Sequence, residues 1–140
     1  MIKRLNKNDI EDILYLENKC FLDAWTEKML LSELDKENSF FFGKCIENKM
    51  VGYILLNVCV DEAEILKICV ENMHREKGIG KELIDYAICN IKNINYVNLE
   101  VRKSNTPAIN LYLKTKFEIV GERKKYYKDN EDAVLMTKVL

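Results

Sequence analysis

The chain has 140 residues, of which 22 are basic and 23 acidic, so its formal net charge of −1 excludes a global field for nucleic acid or anionic membrane. With 48% hydrophobic and 32% charged residues it has the balance of a soluble globular protein, long enough to form one domain over residues 1–140. One histidine (His74) and five scattered cysteines (Cys20, Cys45, Cys59, Cys69, Cys89) offer no metal site and no histidine-based nucleophile pair.

In chain order, "IKRL" predicts a short strand. Asn8 and Glu11 are spaced as a capping pair ahead of a helix carrying Ile10, Ile13, Leu14 and Leu16. Thr26 predicts the cap of a second helix with Leu30, Leu31 and Leu34. The runs "SFFFGKCI" and "MVGYILLNVCV", joined by "ENK", predict a hairpin, and "AEILKICV" the next strand. Leu83, Ile84, Ala87, Ile88 and Ile91 form one stripe of a helix of about three turns. "YVNLEV" alternates as a strand, and Thr106 and Pro107 predict the cap and first position of a further helix. "FEIVGERKKYY" and "DAVLMTKV" predict a closing hairpin around "KDNE". The order βααβββαβαββ implies a mixed α+β sheet with helices on its faces. No apolar run of about 18 residues and no signal-peptide centre is present, so a cytoplasmic location away from membranes is expected.

The stretch "HREKGIGKEL" joins the apolar run "AEILKICV" to a helix. Its spacing fails the dinucleotide fingerprint, which needs a glycine where Leu83 stands. It also fails the Walker loop, which needs four residues between its glycines and a Ser or Thr after Lys81. What remains is Arg75-Glu76-Lys77-Gly78-Ile79-Gly80-Lys81, a strand-to-helix turn able to bring backbone N–H groups to a diphosphate. A tight bend with solvated basic residues is the alternative.

Arg-x-x-Gly-x-Gly between a strand and a helix resembles the coenzyme A pyrophosphate loop of the GNAT acyltransferases. The element order over nearly the whole chain is also similar to theirs. More narrowly, Leu99-Glu100-Val101-Arg102, Ser104-Asn105, Ala108-Ile109, Leu111-Tyr112, Phe117, Tyr126-Tyr127 and Glu131-Asp132-Ala133 resemble the RimI-type ribosomal protein alanine N-acetyltransferases. So does "CFLDAWT", which resembles that family's substrate-side segment. Two positions depart from the pattern: Lys116 replaces the usual Gly before Phe117, and Ala24 the usual Pro before Trp25.

The resemblance implies a GNAT-like, mostly antiparallel sheet of six to seven strands. It implies transfer of acetyl from acetyl-CoA, without a metal, to the α-amine of a protein N-terminus. The acceptor it suggests first is the N-terminal alanine of a small-subunit ribosomal protein (S18). A GNAT enzyme for lysine or a small amine, and a non-catalytic CoA-binding module, are the alternatives. Residue by residue, the resemblance makes Glu100 the general base, its alternative being an exposed carboxylate paired with Arg102. Tyr112 becomes the acid for the leaving thiolate, its alternative being a core tyrosine. Ile68, Cys69 and Val70 border the cofactor's pantetheine arm, the 75–81 turn its diphosphate, and Asn105 caps helix or cofactor. Trp25, Tyr126 and Tyr127 are candidate walls for the acceptor peptide. Cys69 as an acyl carrier lacks a nearby base.

Overall fold

The computed structural model describes residues 1–140 and builds one seven-stranded sheet in the order β1-β2-β3-β4-β5-β7-β6. The strands are β1 (Ile2–Arg4), β2 (Ser39–Ile46), β3 (Lys49–Cys59), β4 (Glu62–Val70), β5 (Tyr96–Arg102), β6 (Glu118–Arg123) and β7 (Ala133–Val139). Every pairing is antiparallel except β4 with β5. Helices α1 (Ile10–Cys20) and α2 (Glu27–Leu34) pack on one face through Ile13, Leu16 and Leu30 against Phe41, Tyr53 and Leu55. Helices α3 (Ile79–Asn90) and α4 (Thr106–Lys114) cover the other, where Leu83, Ile84 and Tyr112 meet Val97, Leu99, Phe117 and Met136. No helix is long and apolar enough to cross a membrane.

Local chemistry sets the boundaries. The capping pair before α1 is Asn6 and Asp9, two residues upstream of the expected Asn8 and Glu11. Asn6 Oδ1 accepts from Asn8 N at 2.8 Å, and Asp9 Oδ2 accepts from Asn6 N at 2.9 Å. The chain enters through a 3-10 turn, Lys7–Asp9, so the cap must precede Lys7. Thr26 caps α2 as expected, its Oγ1 accepting from Met29 N at 3.2 Å. The cap of α4 is Asn105, whose Oδ1 accepts from Ala108 N at 3.3 Å. Thr106 and Pro107, expected as cap and first position, are therefore the first two helical residues. Glu47 and Asn48 both take positive φ (51° and 65°), closing the β2–β3 hairpin with a two-residue turn of the favoured twist. Lys116 sits at φ 74° just past α4, a left-handed stop that costs a non-glycine residue on the order of 1 kcal/mol.

One irregularity positions everything that follows. Leu56 pairs with Ile65 and Leu55 with Lys67, so Leu66 is an extra residue bulged out of β4. Side chains alternate along a strand, so one inserted residue switches the faces. Before the bulge Ala63 and Ile65 point to the α3/α4 layer. After it Lys67 and Cys69 point to α1 and α2.

Candidate active site

The parallel pairing of β4 with β5 runs from Glu62–Tyr96 to Ile65–Leu99 and stops at the bulge. Beyond it β4 keeps its bonds to β3, Glu71 N donating to Val51 O at 2.7 Å. Backbone groups alternate in direction, so those of Ile68 and Val70 face away from β3, into the gap beside β5. The Val70 carbonyl there accepts from Arg75 Nε at 2.9 Å. The gap presents N–H groups to an extended ligand in the manner of a missing strand. Cys69, between those residues, points its thiol to the α1 side, where its hydrogen bond with Cys20 and then burial push its pKa well up. Cys20, by contrast, is brought down to about 7, by the Cys69 hydrogen bond first, with burial opposing and Arg75 assisting.

From the end of β4 the chain turns into α3. Glu76 and Gly78 both take left-handed conformations, φ 62° and 81°, and Gly78 is the N-cap of α3. Nothing lies within 4 Å of where a Gly78 Cβ would stand, so the surface above the helix start is open. The first N–H groups of α3, from Ile79, Gly80 and Lys81, have no acceptor in the helix, and its dipole favours an anion there. Gly80 owes its identity to something else: a Cβ would fall 2.9 Å from Leu111 Cδ2, so its bareness lets α3 lie against α4. Lys77 is exposed, and Lys81 pairs with Asp85 at 2.6 Å. An open, donor-rich turn beside a strand gap fits a ligand with a diphosphate and an extended amide arm.

Glu100 and Tyr112 lie on opposite sides of the sheet, Glu100 just past the last β4–β5 pair. Val97, Leu99 and Val101 face the α3/α4 layer, so Glu100 points to the α1/α2 side, while Tyr112 rises from α4 within the other layer. Glu100 is not paired with Arg102, contrary to that alternative. Its Oε1 lies 3.3 Å from Arg123 Nε on β6. Arg102 is held by Asp129 at 2.9 Å and Glu131 at 3.0 Å and stacks over Tyr127 at 4.1 Å. Tyr126 and Tyr127 meet edge to face at 5.2 Å in the β6–β7 loop. The Glu100 carboxylate pushes Tyr126 up, and burial, then Glu100, pushes Tyr127 up. Tyr112 is 5% exposed, edge-on to Phe117, and burial pushes its phenol well above the ordinary range. It is thus a core tyrosine that keeps its proton. Asn105 spends its carbonyl on the α4 cap and keeps its amide N–H groups free.

Trp25 sits apart from Glu100, on a network the sequence does not announce. Glu17, fully buried on α1, accepts from the Tyr53 hydroxyl, the Lys67 ammonium and Trp25 N, the last at 2.8 Å. Lys67 Nζ lies 4.5 Å from the rings of both Phe21 and Trp25. The segment between α1 and α2 is therefore pinned to the sheet by one carboxylate. The only hint in the sequence is a Glu on an apolar helical stripe and a Lys interrupting "EILKICV".

The acetyltransferase (GNAT) family model matches residues 10–117. A Bacillus subtilis (strain 168) protein provisionally named a [ribosomal protein bS18]-alanine N-acetyltransferase is 33% identical over 140 residues, 96% of this chain and 92% of that one. An N-alpha-acetyltransferase of Sulfurisphaera tokodaii is 30% identical over 96% of this chain and 90% of its own length. Among solved structures, the ribosomal-protein-S18-alanine N-acetyltransferase of Escherichia coli superposes with a TM-score of 0.91 at 28% identity, covering 99% of this chain and 92% of that one.

Proposed function

Because the chain belongs to the GNAT acetyltransferase family, and is thus an N-acetyltransferase using acetyl-CoA, we propose that its acceptor is the α-amine of a protein N-terminus. The N-terminal alanine of ribosomal protein bS18 is the first candidate. The observation that supports this reading is that Glu100 and Tyr112 lie on opposite faces of the sheet, Glu100 just past the end of the β4–β5 pairing. A thioester lying in that gap has a base on one side and an acid on the other.

Acetyl-CoA supplies the activated acyl group; the chain does the rest. The α3 start and the 75–81 turn hold the diphosphate, and the free N–H groups of Ile68 and Val70 hold the pantetheine arm. One of these N–H groups also donates to the oxyanion as the amine adds. Glu100 takes the proton that the ammonium must lose, and Arg123 keeps the carboxylate oriented. Tyr112 donates to the departing sulfur, and burial keeps its proton in place until then. Cys69, its thiol pushed up and turned from the gap, has no part in transfer.

An α-amine with pKa near 8 is about a tenth neutral at pH 7, whereas a lysine near 10.4 is neutral at a few parts in ten thousand. One carboxylate suits the first. Tyr126 and Tyr127, beside Glu100, and Trp25, on the same sheet face, form the walls on the acceptor side. The relatives named above, one for bS18 alanine and one for N-alpha-acetylation, support an N-terminal acceptor. The test is mass spectrometry of the protein with acetyl-CoA and a panel of N-terminal peptides, including the bS18 sequence, beside lysine peptides and free amines. Acetylation confined to free amines or lysine side chains overturns the proposal. Equal rates on many N-termini remove bS18 alone.

A further inference from the structure

On the face where Glu100 stands, one level of the sheet is polar across several strands. The register places Ser39 beside Asn57, Asn57 beside Glu64, Glu64 beside Asn98, and Asn98 beside Thr137. Side chains directly opposite on paired strands share a face, so these five form a row. Its other members satisfy one another: Asn57 Nδ2 donates to Ser39 Oγ at 3.2 Å, and Thr137 Oγ1 donates to Asn98 Oδ1 at 2.7 Å. Glu64 has no such partner.

Glu64 lies one pair before Ile65–Leu99, the last at which β4 still pairs with β5 before the bulge opens the gap. Asn98 is two residues before Glu100, so Glu64 and Glu100 are diagonal neighbours on one face, about 7–8 Å apart in backbone terms and within reach of two long side chains. The cation that acts on Glu64, Arg123, gives its ion pair to Glu100, and Arg102, two residues beyond Glu100 on the same face, is held by Asp129 and Glu131. Partial loss of water and then the Glu100 charge push Glu64 up, with Arg123 opposing. Two carboxylates thus share one guanidinium at the mouth of the gap. The acceptor arrives there with one positive charge.

We propose that Glu64 binds the ammonium of the incoming acceptor and holds it beside Glu100. The inference rests on the proposed role of Glu100 as base. In the step that follows, an N–H bond of the ammonium breaks and its proton passes to the Glu100 carboxylate. The nitrogen keeps the lone pair that attacks the thioester, and Glu64 stays ionised throughout. The group recognised is a primary ammonium, and Glu64 adds affinity for its charge.

Steady-state kinetics of Glu64→Gln, Glu64→Asp and Glu100→Gln on an Ala-starting peptide test this. Glu64→Gln should raise the peptide KM about three- to fivefold, the size of a solvent-facing ion pair, with little change in kcat or in acetyl-CoA affinity. Glu64→Asp should recover part of it. Binding measurements add a readout that a structural defect would not reproduce. Glu64→Gln should weaken an Nα-trimethylated, permanently cationic peptide and leave its neutral Nα-acetylated counterpart unchanged. Equal weakening of both peptides, or an unchanged KM, overturns the proposal. If Glu100→Gln loses turnover while Glu64→Gln changes nothing, Glu64 alone is wrong. If Glu100→Gln is fully active while Glu64→Gln shifts KM, the base is wrong and the ammonium site stands.

Discussion

Glu100 and Tyr112 stand on opposite faces of one sheet, Glu100 just past the point where β4 leaves β5. A proton can be taken on one side of a thioester and delivered on the other without the two groups competing. The two groups never meet: no hydrogen bond links them. Glu100 pairs with Arg123, and Tyr112 is pushed up by burial and then by Tyr127.

That separation predicts different pH behaviour in the two variants. Glu100→Gln should lower turnover by about 10²–10⁴-fold near pH 7 and leave acetyl-CoA affinity nearly intact. Raising the pH should restore part of the loss, because the α-amine then deprotonates unaided. Tyr112→Phe removes the donor to the thiolate, for which higher pH supplies no substitute, so its deficit should persist. Kinetics from pH about 6 to 9.5 distinguish the two. A Glu100→Gln variant as active as wild type at the low end places the base elsewhere.

Gly80 is the second case. Its Cβ would stand 2.9 Å from Leu111 Cδ2, whereas Gly78 has open space but a left-handed backbone. Gly80→Ala should therefore cost little, because the end of the half-exposed Leu111 side chain can turn aside, and Leu111→Ala should relieve that loss in the double variant. Gly78→Val should weaken acetyl-CoA binding at least tenfold through the strained turn above the helix start. Denaturant titration reads the first effect and calorimetry the second. If Leu111→Ala relieves nothing, the packing role of Gly80 is wrong.

Much of this was legible in the chain because periodicity survives translation into structure. The alternation of Val97, Leu99 and Val101 fixes the outward direction of Glu100, and the Leu83–Ile91 stripe fixes α3. What failed depended on single-residue offsets or distant partners. The 3-10 turn moved the first cap from Asn8 to Asn6. Arg102 and Arg123 are equally plausible partners for Glu100 by sequence. A register shift between Ile119 and Gly121 helps decide which side chain β6 brings across. The bulge at Leu66 has no periodic signature, yet it opens the gap and turns Lys67 toward Glu17, 50 residues away.

The buried ion pair of Glu17 and Lys67 makes a stability prediction. Removing one partner leaves an uncompensated charge, which costs about 3–5 kcal/mol, whereas removing both for apolar groups is often near neutral. Glu17→Leu should thus unfold much more easily than wild type, and Glu17→Leu with Lys67→Met should recover most of the loss. Urea titrations of the singles and the double variant measure this. Because Glu17 also accepts from Trp25 N, the double variant should regain stability while its α1–α2 segment stays loose, visible as faster proteolysis there.

The cysteine pair gives the last prediction. Cys20, brought down to about 7 by its hydrogen bond with Cys69 and aided by Arg75, is half-buried at the end of α1. Cys69 is buried and pushed well up by that same hydrogen bond and by burial. Thiolate, not thiol, reacts with iodoacetamide, so Cys20 should alkylate with a midpoint near pH 7, and Cys69 should stay protected in the folded protein. Removing the hydrogen-bond donor in Cys69→Ala should move the Cys20 midpoint upward, toward that of an ordinary thiol. The same variant should keep most of its acetyl transfer, since the proposed attack on the thioester is direct. An acetyl group trapped on Cys69 by rapid quench, together with loss of activity in Cys69→Ala, would mean that transfer passes through the protein. A Cys20 midpoint unchanged in that variant would instead assign its acidity to Arg75.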